Sequence, residues 1–289
     1  MICVIISLLP ASLTSQGCST NPMNEREPQD QAGQLMEPAT GQVRIRIKKD
    51  AGSTIMRTDL FAFPASADGK LECHSHFEDS QDTHILELTE GEKTIVAIIN
   101  SPYIFNDKAI AKLESLEQLE ISFEDDNPSH PVMSGVSSAY ANADEIMDAG
   151  ITVKSLMSSI VLSEVSNNLL EYTRLENPRA YLRNLNPKAE LLRSSGFHPS
   201  GDIEEGEAVP LPCDVGFYTQ YPEAELWCYP NETPEDHLGT PRTELVFECE
   251  IRDTTRTFTI PLPPIERASR HCVSLTVDEA GEYSWNIIE

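Results

Sequence analysis

Thr243-Glu-Leu-Val-Phe-Glu-Cys-Glu-Ile251 is the stretch that decides the fold class. Leu245, Phe247, Cys249 and Ile251 fall on one face of an extended chain, and Glu244, Val246, Glu248 and Glu250 on the other. Side chains alternate across a strand with a period of two, so this pattern predicts a strand with a core on one side. Phe258, Ile260 and Leu262 supply the next strand, and Val273, Leu275 and Val277 the one after it. Upstream, Ala180–Leu185 reads as a strand. Asn186-Pro187 then sets a cap and a first-turn proline for a short helix that Gly196 closes.

The same signal recurs toward the N-terminus. Val43, Ile45 and Ile47 alternate with Arg44, Arg46 and Lys48. Asp59-Leu-Phe-Ala-Phe-Pro64 is a short strand ended by the Asp68-Gly69 turn signal. Thr83–Leu88 and Thr94–Asn100 flank Glu90-Gly91 and predict a hairpin. Asn106–Gln118 predicts a helix, capped by Asn106, with Ile110, Leu113 and Leu116 at helical spacing. A β-rich run covers Ile151–Val165, and Asn-Asn and Asn-Pro mark a break across Ser166–Asn177. Many short strands with two short helices predict an all-β chain of two β-sandwich domains, at 41–170 and 171–289. A chain of 289 residues is long enough to bury two cores.

Ahead of these lies an address. Ile2–Leu9 is nearly all apolar, too short to span a bilayer, and Leu13-Thr-Ser-Gln-Gly-Cys18 follows. A short apolar run, small residues and then a cysteine resemble a bacterial lipoprotein signal, 1–17, cut before Cys18 so that its thiol takes up lipid. An ordinary secretory signal cut elsewhere is the alternative. Residues 18–40 are polar and read as a flexible tether. Acidic residues outnumber basic ones 47 to 21, for a net charge of -26. A chain that negative is repelled by phosphate, so nucleic acid is excluded as a partner.

Several words in these strands recur in a known order. The first half carries Asp59-Leu-Phe-Ala-Phe, Leu88-Thr-Glu-Gly, Pro131-Val-Met-Ser-Gly135 and Ile151-Thr-Val. The second carries Tyr181-Leu-Arg-Asn, Tyr229-Pro-Asn-Glu-Thr233, Thr243-Glu-Leu-Val and Ile260-Pro-Leu-Pro. Their order and spacing resemble the fimbrillin superfamily of anaerobic Gram-negative bacteria, which includes stalk, tip and anchor subunits of fimbriae. The resemblance implies two transthyretin-like Greek-key sandwiches and a structural, adhesive role in a fimbrium at the cell outer membrane. It implies other fimbrial subunits as partners, with host or bacterial surface ligands beyond them. It also implies strand exchange: a protease cuts after a basic residue near the first strand, and a neighbour's strand fills the vacated groove. Gln42–Lys49 is then the removable strand, and Arg44, Arg46 and Arg57 are the candidate processing residues; an exposed edge strand guarded by positive charge is the alternative. The short C-terminal segment Tyr283–Ile288 favours a tip or accessory position over a stalk one if it closes its own sandwich. A solitary surface lipoprotein that binds glycan or host protein is the rival reading.

Conventional chemistry finds little support. Cys73-His-Ser-His76, with His84 nearby, is the best metal candidate, but its polar setting reads better as a loop or edge strand. Glu124-Asp-Asp126 lacks the alternating oxygens and glycine of a calcium loop and reads as a charged turn. Ser134 has no triad signature around it. No catalytic residue, metal or cofactor is therefore assigned. Cys228 and Cys249 share inward faces and read as buried thiols or, if their strands meet, as a disulfide. Trp227, Tyr229, Tyr283 and Trp285 read as core or sheet-face residues rather than a sugar platform.

Overall fold

A computed structural model describes residues 38–49, 53–66, 69–192, 202–234, 238–278 and 282–289. Cys18, the leader, residues 18–37 of the expected tether and Gly196 lie outside the described residues, and the expected tether end is corrected at Thr40, which already belongs to β1. In the first half the strands are β1 Thr40–Lys48, β2 Thr58–Pro64, β3 Cys73–Phe77, β4 Thr83–Thr89 and β5 Gly91–Ile99. After helix α1 Leu113–Glu117 come β6 Glu120–Ser122, β7 Met133–Ala141, β8 Ile146–Thr152 and β9 Lys154–Ser155. The second half holds β10 Ser158–Asn167, β11 Glu176–Leu185, β12 Lys188–Glu190, β13 Glu204–Glu205 and β14 Val209–Pro210. It continues with β15 Ala224–Cys228, β16 Glu244–Ile251, β17 Thr254–Pro261, β18 Arg270–Val277 and β19 Tyr283–Ile288. The chain is all-β, built as sandwiches.

One sheet runs β4-β1-β8 and another β3-β2-β5-β7-β9. They enclose a single cluster that includes Val43, Ile45, Ile47, Leu60, Leu86, Leu88, Ile95 and Ile151. The other face of β2 and β5 is also covered, with Phe61, Phe63, Val96 and Ile98 packing on Leu116, Ile121, Leu191 and Tyr229. Burial on both faces explains why Thr94-Ile-Val-Ala-Ile-Ile99 is a continuous apolar run instead of an alternating one. In the second half, sheet β15-β10-β18-β19 faces a sheet led by β11, β16 and β17. Ile160, Leu162, Leu182, Phe247, Ile260 and Leu275 fill the space between. β10 pairs with β15 and β18, so residues 158–167 join the later strands.

Three expectations fail for one reason: a distant partner outbids a local signal. β4 and β5 are not a hairpin. β4 pairs with β1, while β5 pairs with β2 and β7. Gly91, at φ 122, turns the chain from one sheet into the facing one, a conformation that costs glycine little. The helix expected over 106–118 shortens to Leu113–Glu117, because Lys70 bridges Lys112 and Leu71 N–H donates to Ala111 O at 2.9 Å. Asn106 closes only one turn, accepting from Ala109 and Ile110. The helix expected after Asn186-Pro187 is instead strand β12, paired with β6.

Glycine also explains one of the sequence words. A side-chain carbon on Gly135, in β7, would collide with the backbone carbonyl of Thr152. Beside it, Ser134 Oγ donates to Leu191 O at 2.5 Å, tying the first half to the second.

Candidate functional site

β1 occupies a slot between β4 and β8, antiparallel to the first and parallel to the second. Val43 lies opposite Leu86 on one side and Met147 on the other. Val43, Ile45 and Ile47 point into the core and are buried. Gly41 has no room for a side chain, because an added carbon would meet the Asn142 carbonyl. The slot therefore accepts glycine, then apolar residues at the second, fourth and sixth positions after it. β1 is not a guarded edge, since both of its backbone edges are hydrogen bonded.

The three candidate arginines are placed differently. Arg44 and Arg46 face outward and reach the same Asp148 oxygen at 3.3 and 3.1 Å. Both lie inside a ladder bonded on two sides, which shields the backbone from a protease. Arg57 immediately precedes β2, with its Nε 3.1 Å from Asp59 and its carbonyl accepting from Asn100 N–H at 2.9 Å.

The Cys73–His76 segment forms strand β3 against β2, and its histidines converge on a carboxylate. Asp59 is fully buried. Its Oδ1 faces His74 Nε2 at 3.1 Å and His76 Nδ1 at 2.9 Å, while its Oδ2 takes Arg57 Nε. His74 Nδ1 turns to Asp107 at 2.6 Å, so both ring nitrogens face carboxylates, an arrangement that favours the doubly protonated ring. The ring stacks on Phe61, centroids 4.3 Å apart. His84 is separate, stacked on Phe77 and bonded to Gln81 O. Among the described residues no group of three or more His, Cys, Asp and Glu side chains could hold a metal ion.

This cluster has a signed pH dependence. Burial opposes the Asp59 charge, but hydrogen bonds from His74, His76 and Arg57 win and lower its pKa below 3.8. Burial likewise opposes the His74 charge, and Asp59 and Asp107 outweigh it, raising that pKa above 6.5. The Asp59 contribution is present above its unfolded value and lost as pH falls through the lowered folded one. The His74 contribution is complete below its unfolded value and lost as pH rises through the raised folded one. Stabilisation by the cluster thus peaks between the two. We expect the gap in melting temperature between the unmodified chain and His74→Gln to be wider at about pH 6 than at about pH 9. An equal gap at both pH values contradicts the assignment.

Asp126 is not a solvated turn residue. It is buried, accepting Val132 N–H at 2.8 Å and the Tyr229 hydroxyl at 3.2 Å. Burial raises its pKa, and these hydrogen bonds offset that only in part. Burial also raises the Tyr229 phenol, reinforced by Asp126. Ser134 serves as a donor to Leu191 O and an acceptor from Arg267. Cys228 and Cys249 are free thiols in the second core, and burial pushes each to about 12. A thiol that stays protonated is inert. Tyr229 is core, Trp227 and Tyr283 are partly packed, and Trp285 is exposed.

One feature escaped the sequence reading. Tyr172, Phe217, Tyr218 and Tyr221 are exposed, at 82%, 58%, 66% and 70%. The rings of Tyr172 and Phe217 sit 5.7 Å apart, joining the loops that carry them. Buried Asn167 ties those loops together, donating to Thr173 O at 2.8 Å and Val215 O at 3.1 Å. Phe217-Tyr-Thr-Gln-Tyr221 was open to notice as an aromatic-rich stretch beside Pro and Gly, but loop residues have no periodicity to flag them.

No protein-family model matches the chain, and no curated protein matches it in sequence. Solved structures match it in shape. A candidate cell adhesion protein from Parabacteroides distasonis superposes with a TM-score of 0.65 at 10% identity, over 87% of this chain and 96% of its own. A fimbrilin from Porphyromonas gingivalis gives 0.63 at 13% identity, over 87% and 96%. A fimbrial assembly protein from Parabacteroides distasonis gives 0.52 at 12% identity, over 87% and 95%. At such identities the likeness is one of fold: the chain is fimbrillin-like in its architecture, as its sequence words imply.

Proposed function

We propose that the chain is a structural and adhesive subunit of a cell-surface fimbrium, joined to other subunits by strand exchange. The observation that carries this reading is β1, the first strand among the described residues, which fills a two-sided slot with three apolar side chains. In this reading 1–17 is a leader and a tether follows it, ending before β1 begins at Thr40. Two sandwiches follow; strand pairing passes from β7 to β15 at Met157-Ser158, which supports a boundary there in place of the expected one at 170/171. A lipid on Cys18 holds the precursor at the outer membrane. Cutting after Arg57 detaches it and vacates the whole of β1, whereas cutting after Arg44 or Arg46 leaves part of the strand behind. The slot imposes no single direction on a replacement strand, because either direction is parallel to one wall and antiparallel to the other. N-terminal sequencing of surface polymer tests the reading. The expected start is Thr58; a start at Cys18 throughout would rule out exchange through this slot.

A tip or accessory position is favoured because β19 pairs with β18 of its own chain, register Val273 to Ile287. Tyr283 leans on the core and its hydroxyl donates to Thr259 O at 2.8 Å. The donor reading has its own support. β19 is an edge strand, largely exposed, and Gly281, Tyr283, Trp285 and Ile287 repeat the spacing of Gly41, Val43, Ile45 and Ile47. Deleting Tyr283–Glu289 separates the two. We expect a clear fall in monomer melting temperature; unchanged stability with lost assembly would make the segment a donor.

A further inference from the structure

The aromatic loops stand at the pole of the second half remote from the first. β10 starts at Ser158, next to Met157 in the cluster that joins the halves, and runs away from it to Asn167. Ten extended residues place its far end on the order of 30 Å from that junction. There Gln220 bridges Val165 and Thr219 Oγ1 meets Ser166 Oγ at 2.8 Å, which puts Tyr218 and Tyr221 beside the strand end. Leu170, also exposed, precedes Tyr172 on the companion loop.

The loops that carry the rings are tied to the fold before any partner arrives. Glu171 and Tyr172 both have positive φ, 62 and 56, a conformation unfavourable for residues with side chains. Arg252, from the β16–β17 turn, pins that turn by reaching Glu171 at 2.7 Å and Thr173 Oγ1 at 3.3 Å. Tyr218 N–H donates to Gly216 O, and its ring lies over Gly216. Rigid tyrosines lose little entropy on binding and offer both an apolar face and a hydroxyl.

Charge and size identify the occupant. The two cations flanking the rings are neutralised, Arg252 by Glu171 and Arg174 by Asp214 at 3.9 Å. With a net charge of -26 behind them, they leave nothing to attract phosphate, sulfate or sialate. Five exposed side chains are also far short of the roughly 20–30 residues that a stable protein interface takes from each side. What fits is a small, uncharged ligand with C–H faces for stacking and hydroxyls for the phenols.

We propose that the Tyr172–Phe217–Tyr218 pole, with Tyr221 at its flank, binds a neutral oligosaccharide. The sugar's axial hydrogens lie on the rings, and the tyrosine hydroxyls bond its equatorial hydroxyls. This site does not depend on strand exchange, so it would operate in a polymer or in a solitary surface protein. The test applies purified chain to an array of neutral mannose-, glucose- and galactose-based oligosaccharides printed beside sialylated and sulfated ones. Binding should be confined to neutral members. It should fall at least tenfold in Tyr172→Ala/Tyr218→Ala and less in Tyr172→Phe/Tyr218→Phe, which keeps the faces and loses the hydroxyls. All three proteins should melt at the same temperature, since both rings are exposed. Binding only to charged glycans, no binding to any neutral one, or undiminished binding by the alanine variant would overturn the proposal. So would a change from oligomer to monomer in the alanine variant by sedimentation, which would mark the pole as a contact between copies. Failure here leaves the processing of β1 untouched, because N-terminal sequencing reads that separately.

Discussion

A chain that begins at Ser53, lacking β1, is expected to lose the stable fold of its first half. Val43, Ile45 and Ile47 are buried between the two facing sheets. Burying a side chain of this kind is worth about 1.5–3 kcal/mol, so the three together contribute roughly 5–9 kcal/mol. That is comparable with the whole stability of a typical domain, about 5–15 kcal/mol. The loss also strips both β4 and β8 of a ladder partner, leaving two open edges that invite another strand. Calorimetry should show the first-half transition missing or lowered by more than about 10 °C, as expected for a loss of several kcal/mol. A synthetic peptide spanning Thr40–Lys49 should restore it in trans, and the same peptide carrying Ile45→Asp should not. Melting identical to the whole chain would mean that β1 is not part of the core.

Replacing Asn231 with alanine should be the most damaging single change outside the apolar core. Asn231 is buried, and its amide nitrogen donates to Pro241 O and Thr243 Oγ1, each at 3.1 Å, and to Asn184 O at 3.4 Å. Its side-chain oxygen accepts from the Thr233 hydroxyl at 2.6 Å and the Thr233 N–H at 3.3 Å. Thr233 and Thr243 are buried as well. Removing the amide leaves several polar groups without partners, at about 1–3 kcal/mol for each one that water cannot reach. We expect a loss of roughly 3 kcal/mol, or about 6–12 °C in the melting temperature of a chain this size. Asn231→Asp, which keeps the acceptor and loses the donors, should recover only part of it. A shift under about 1 °C for the alanine variant would show that water takes over these bonds.

That hub also shows why the ordered words were informative. Tyr181-Leu-Arg-Asn184, Tyr229-Pro-Asn-Glu-Thr233 and Thr243-Glu-Leu-Val are distant in sequence, yet buried Asn231, Thr233 and Thr243 meet half-buried Asn184 in one polar network. Such residues are hard to exchange, because each satisfies the others. Gly135 leaves no room for a side chain against the Thr152 carbonyl, and Asn184, at φ 60, sits in a conformation that asparagine tolerates better than most residues.

The alternation at Leu245, Phe247, Cys249 and Ile251, and at Val43, Ile45 and Ile47, determined by itself that these segments are strands and which face is buried. Period two is a property of the extended backbone and needs no knowledge of a partner. The same alternation could not say who the partner is, because a face looks equally apolar whichever strand lies alongside. Tertiary structure alone decided that β4 leaves β5 for β1, that β12 is a strand instead of a helix, and that β1 is walled on both sides. It alone gathered His74, His76 and Arg57 around Asp59, and Tyr172 beside Phe217. His74 and His76 lie 15 and 17 residues from Asp59 on a neighbouring strand, and Tyr172 and Phe217 lie in separate loops; such contacts are set by how strands pair and sheets stack, and they leave no period in the sequence.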